Sequence, residues 1–263
     1  MKVKLSIFWF VLSLYLSTAT CFAAEFVRIP TRPNITVALV TSKAEEAVAT
    51  LIILPGGAGG FGKMVNGEAD GRNFLVRSAP YFRAAKFNLI IMGKPSDIED
   101  LDYKERVSEA HLTDIEAVVD YAKKELKQPI WLIGTSRGTV SATAAAIAFG
   151  NQKLAGIVLT SSIVSSKKVG AIPFQALDQI RIPVLVVHHE NDACHVCFPS
   201  FVPEILERLK NSPRKQLLWM RGGSEPSGDA CEAFHFHGYV GIEAQTVEHI
   251  NNWIRETHTL THQ

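Results

Sequence analysis

Two periodicities alternate along this chain. Apolar runs at 35–40, 50–54, 87–92, 130–133, 155–160, 184–188 and 216–220 have the length and β-branched content of strands, most of them continuous enough to be buried on both faces. Between them, segments 74–85, 106–126, 139–149, 201–209 and 240–256 place apolar residues at the spacing of one helix face. Strand and helix therefore alternate from residue 50 onward. That order predicts an α/β fold, a mostly parallel, doubly wound sheet with helices on both faces, and chemistry at the carboxyl ends of its strands.

Residues 1–23 depart from the alternation. Lys2 and Lys4 precede an apolar run from Leu5 to Leu16, and small residues lead into Cys21-Phe22-Ala23. We read a signal peptide cleaved after Ala23, with an apolar stretch too short to span a bilayer comfortably and no stable membrane anchor once it is removed. Residues 24–263 are then expected to form one domain that is exported, periplasmic or secreted. The whole chain of 263 residues carries a formal charge of +1, and loss of the two lysines makes it −1. Neither value favours nucleic acid as a partner, and no aromatic-basic interleaving points to one. A small-molecule or peptide-like substrate is the expectation; the pattern leaves the oligomeric state open.

Within this framework Gly134-Thr135-Ser136-Arg137-Gly138 stands out, because it follows one apolar strand and precedes an Ala-rich helix. Glycines on either side let the chain reverse sharply and expose the Ser136 hydroxyl at a helix N-terminus, as a nucleophile requires. Three further loops fall at strand ends. Pro55-Gly56-Gly57-Ala58-Gly59-Gly60-Phe61-Gly62 can turn backbone amides toward a developing oxyanion, and it lacks the Gly-Lys-Ser/Thr ending of a phosphate-binding loop. The amides of Arg137 and of Gly57 or Ala58 are the expected donors. His189-Glu190-Asn191-Asp192 supplies a carboxylate to orient a histidine, Asp192 being preferred to Glu190. His235-Phe236-His237-Gly238-Tyr239 supplies the base; His237 is favoured for the glycine that follows it, and His235 remains the alternative.

Ser136, Asp192 and His237 occur in the order serine, acid, histidine. On these residues the chain resembles exported bacterial α/β-hydrolases of the esterase, dienelactone-hydrolase and serine-peptidase-like group. The resemblance implies an α/β-hydrolase fold, a triad and hydrolysis of an ester, thioester or amide without a cofactor. Pro55-Gly56 replaces the His-Gly opening common in esterase loops, and a serine stands where dienelactone hydrolases use cysteine. Only residues 161–181 lie where a lid would be inserted, so no large lid domain is expected and a short acyl or small ester suits the site. The competing readings are a serine peptidase or acyl-aminopeptidase, and a non-catalytic exported binding protein on the same fold.

Cys194, Cys197 and Cys231 remain after cleavage. The acid and histidine loops must approach for Asp192 to meet His237, so a Cys194–Cys231 disulfide is expected, with Cys197 the competing partner. The cysteines and neighbouring histidines lack the context of metal ligands, and no metal is expected. Arg137 is expected to face solvent or a carboxylate rather than to grip substrate. His111, His249, His258 and His262 read as surface or helix residues.

Overall fold

The computed structural model describes residues 24–261. The expected signal peptide and Cys21 lie outside the described residues. Eight strands form one sheet: β1 (Glu25–Arg32), β2 (Ile35–Ser42), β3 (Thr50–Leu54), β6 (Asn88–Pro95), β7 (Ile130–Thr135), β8 (Gly156–Thr160), β9 (Val184–His189) and β10 (Lys215–Met220). Their order across the sheet is β1-β2-β6-β3-β7-β8-β9-β10. All neighbours from β6 to β10 run parallel, whereas β2 pairs antiparallel with both β6 and β1 and is the one reversed strand of this sheet.

Strands β3, β7, β8 and β9 are buried at every residue, which is why they read as unbroken apolar runs. Alternate side chains supply two cores. Ile52, Leu54 and Leu132 pack with Val118 and Ala122 of α3 (Glu109–Leu126), Val140 of α4 (Arg137–Ala145) and Ile205 of α6 (Pro203–Arg208). Leu51, Ile53 and Trp131 face Phe74 of α1 (Phe74–Arg77), Phe82 of α2 (Ala79–Ala84) and Trp253 of α7 (Glu243–Thr261). Helices thus cover both faces, as the alternation predicts. Helix α4 is rich in small residues because it lies hard against the sheet: a Cβ on Gly138 would come within 2.0 Å of the Leu54 carbonyl oxygen.

Several boundaries differ from expectation for local reasons. Strand β1 was not expected; it is a half-buried edge strand whose Val27 and Ile29 face inward while Arg28, Pro30 and Arg32 occupy the opposite face, and its register shifts between Pro30 and Arg32. A small hairpin, β4 (Lys63–Val65) with β5 (Glu68–Asp70), turns on Asn66-Gly67, both at positive φ. The helix expected over 74–85 is divided at Ser78, which caps α1 and precedes α2, because Pro80 has no N–H to donate back into α1. Helix α3 begins later than expected, after Ser108 accepts a hydrogen bond from the His111 amide. Helix α4 runs on through a wider turn at Ala146–Gly150 into α5 (Asn151–Lys153). Helix α7 starts at Glu243 rather than near Val240, since Tyr239 adopts a left-handed conformation.

Between β8 and β9 the chain makes only short turns at Ile172–Phe174 and Leu177–Gln179, so no lid domain is inserted there. No helix among the described residues is long and apolar enough to cross a membrane. The alternating architecture is the α/β-hydrolase fold.

Candidate active site

Ser136 sits between β7 and α4 with φ of 52°, a left-handed value that a side-chain-bearing residue rarely adopts without compensation. Compensation is visible. Its amide donates to the Thr160 carbonyl at 3.0 Å, and its carbonyl accepts from the Thr139 amide at 2.9 Å and from the Thr139 hydroxyl at 2.6 Å. A Cβ on Gly134 would meet the Gly138 carbonyl oxygen at 2.4 Å, so the turn closes only with glycines on both sides. The Ser136 hydroxyl caps nothing in the helix it precedes. It opens instead on a cavity of about 200 Å³ that Gly57, Asn73 and His237 also line.

The carboxylate of Asp192 and the ring of His237 meet beneath that cavity. Nδ1–H of His237 donates to Asp192 Oδ2 at 2.9 Å, and both side chains are buried. The other carboxylate oxygen, Oδ1, accepts the Cys194 amide at 2.9 Å, which fixes its plane. Nε2 of His237 is buried with no hydrogen-bond partner. This histidine is therefore oriented at one nitrogen and available at the other, as a proton acceptor at the cavity must be. His235, the alternative, makes no bond to Asp192; its ring packs edge-on against Phe236.

Ser161 and Arg77, outside the motifs, join residues of the motifs in holding the histidine turn in place. The Ser161 hydroxyl donates to the His237 carbonyl at 2.7 Å, and the buried Tyr239 hydroxyl donates to Val187 while accepting the Ser161 amide. Arg77 reaches the carbonyls of Ala233 and Gly238. Gly238 is required for close approach, since a Cβ there would lie 1.9 Å from the Ala233 carbonyl oxygen. His189 stacks on Phe236 at 4.6 Å, joining the end of β9 to the same turn. His188 lies behind the pair: its Nε2–H donates to the Cys197 carbonyl at 2.8 Å, and burial pushes its pKa down to about 4.

The glycine loop is organised from below by Arg106, which is buried and belongs to none of the sequence motifs. Its guanidinium donates to the carbonyls of Leu101, Pro55 and Gly57 and to the Ser141 hydroxyl, all within 3.1 Å. Burial, reinforced by the Arg137 charge, pushes its pKa down to about 9, so it stays charged at neutral pH. Ser141 in turn donates to Nε2 of His111, whose pKa burial lowers to about 3. His111, expected as a surface or helix residue, is a helix residue buried in this network. With its carbonyls held, the loop lies against Ser136: a Cβ on Gly56 would meet the Thr135 carbonyl oxygen at 2.8 Å. Gly57, at φ of 57°, faces the cavity; Ala58 is not among the residues that line it.

Cys194 and Cys231 form a disulfide with Cα atoms 4.4 Å apart, and Cys231 forms part of the cavity wall. Cys197, the competing partner, is free and buried, and burial pushes its thiol pKa well up. The sulfurs of Cys194 and Cys231 and the ring of His195 lie close enough together to hold a metal ion, but the two sulfurs are joined to each other. The Arg137 side chain turns toward the Asp100 carboxylate at 3.4 Å and lies over the Tyr103 ring.

No family model matches this chain, and no curated protein matches its sequence. Solved structures do. An esterase from Pyrococcus furiosus superposes with a TM-score of 0.63 at 16% identity, covering 90% of each chain. An esterase from Rhizomucor miehei gives 0.65 at 15% identity over 94% of this chain and 86% of its own. A Xanthomonas campestris protein described as an α/β serine hydrolase without lid gives 0.55 at 14% identity, over 86% of this chain and 94% of its own. At these identities the likeness is one of fold.

Proposed function

We propose that this chain is a serine hydrolase that cleaves a carboxylic ester with a short acyl group or otherwise small substituents. The observation that carries the reading is the His237 ring, bonded at Nδ1 to Asp192 and unpartnered at Nε2, which shares a cavity with Ser136 on its strained turn. Ser136 Oγ attacks the ester carbonyl carbon while its proton passes to His237 Nε2. The tetrahedral oxyanion is stabilised by the amides of Arg137 and of Gly57 or Ala58. Collapse expels the alcohol, which leaves with the proton from His237. Water then attacks the acyl-enzyme by the same route and releases the acid and free Ser136. Asp192 holds the ring in the required tautomer and stabilises its charge during each transfer. The esterase and serine-hydrolase neighbours support hydrolysis, and the disulfide is compatible with an exported protein.

A fluorophosphonate probe and p-nitrophenyl acetate test the proposal together. The unaltered protein should be labelled at Ser136 and should turn over the ester, and Ser136→Ala should do neither. Equal labelling of both proteins would move the nucleophile elsewhere. Absence of labelling and turnover in both would favour a binding protein on this fold.

A further inference from the structure

The Ser136 cavity, at about 200 Å³, is smaller than the space small-molecule sites usually offer, so it can take the reacting carbonyl and little more. A second, larger hollow of about 570 Å³ neighbours it. Cys231 lines the first cavity, its sulfur lies 3.5 Å from Nδ1 of His195, and His195 lines the second. Arg137, next in sequence to Ser136, supplies another connection. Its guanidinium packs 5.1 Å from the Tyr103 ring centre, and Lys168 from the rim of the hollow packs 5.0 Å from the same ring.

The hollow has two chemical characters. Phe174, Phe198 and Phe201 are left 57%, 45% and 54% exposed around it, an apolar lining that water covers poorly. Its charges do not balance. Glu204 is taken up by Arg208 at 2.7 Å, whereas neither Lys167 nor Lys168 has an ion-pair partner among the described residues. Arg137 is not part of the lining and is paired with Asp100 at 3.4 Å.

We propose that this hollow binds the acyl part of the substrate, an apolar chain or ring that ends in a carboxylate, with the apolar portion on the phenylalanines and the carboxylate on Lys167 and Lys168. The inference rests on the hydrolase reading and extends its substrate class from a short acyl group to a longer, anionic one.

Two measurements separate the inference from that reading. In the first, p-nitrophenyl hydrogen suberate and p-nitrophenyl acetate are compared as substrates. The suberate ester should have the larger kcat/KM by about tenfold, and either Phe174→Ser with Phe201→Ser or Lys167→Glu with Lys168→Glu should collapse that ratio toward one. A ratio at or below one in the unaltered protein, or a ratio that neither pair of substitutions changes, overturns the proposal. In the second, the fluorescent anion 8-anilinonaphthalene-1-sulfonate is titrated without any substrate. Saturable one-to-one binding, weakened about tenfold by each pair of substitutions, supports the hollow as an apolar-anion site. Equal binding by all three proteins overturns it. If neither ester is hydrolysed, the hydrolase reading fails, and the titration still decides whether the hollow binds such an anion.

Discussion

Arg106 is a charge placed where water does not reach it, and its four acceptors are what make that position tenable. Two of those acceptors, the carbonyls of Pro55 and Gly57, belong to the loop expected to bind the oxyanion, so the guanidinium sets the direction in which that loop's amides point. Arg106→Met should leave the buried carbonyls of Leu101 and Pro55 unpaired at about 1 to 3 kcal/mol each, lowering the melting temperature. It should also lower kcat by about tenfold to a hundredfold with a smaller change in KM, because the oxyanion forms only as the reaction proceeds. An unchanged kcat alongside a lower melting temperature would confine Arg106 to stability. The two histidines of the turn before α7 separate in the same way. His237→Ala should lose as much activity as Ser136→Ala, at least about a thousandfold, since the groups act as a unit, while His235→Ala should lose far less. The reverse ranking in steady-state assays would move the base to His235.

Among the elements, the acid loop after β9 and the histidine turn before α7 are drawn together by Asp192 and His237 and tied by Cys194–Cys231, 37 residues apart. By the chain-entropy argument, closing that loop stabilises the fold by about 3 to 4 kcal/mol. Reduction should therefore lower the melting temperature and the turnover number together, and Cys231→Ser should reproduce both effects without reductant. Activity that survives reduction would show that Ser161, Tyr239 and Arg77 hold the turn unaided. The central strands and the Ser136, Asp192 and His237 loops were legible in the sequence because burial on both faces produces unbroken apolar runs and because turns with forced backbone geometry demand glycine. The roles of Arg106, Ser161, Tyr239 and His188 were not. Each acts through backbone carbonyls or amides of distant elements, and such partnerships leave no spacing pattern in the chain. Strand β1 was hidden by its charged and proline positions, although Asn66-Gly67 did carry a readable signal for the small hairpin.

For the molecule as a whole, the buried imidazoles of His111 and His188 link stability to acid. Burial lowers His188 to about 4 and His111 to about 3, the latter helped by repulsion from Arg106 and Arg32, while Asp192 only partly opposes the effect at His188. An unfolded histidine titrates near 6.5. Between about pH 6.5 and the folded values the unfolded chain binds protons that the native chain refuses, so native stability must fall as pH falls through that window. By the lower end of its window His188 can account for on the order of 3 kcal/mol and His111 for on the order of 5 kcal/mol. Carboxylates held low by their partners, such as Asp97 beside Arg32, begin to contribute only below their ordinary value of 3.8, which leaves pH 4.5 to 6.5 to the histidines. Glutamine at both positions can keep the hydrogen bonds made by Nε2 without the titration, to Ser141 at one site and to the Cys197 carbonyl at the other. Urea denaturation midpoints should therefore fall with pH in the unaltered protein across that range and stay nearly level in His111→Gln/His188→Gln. Parallel slopes for the two proteins would mean that acid acts on this fold through other groups.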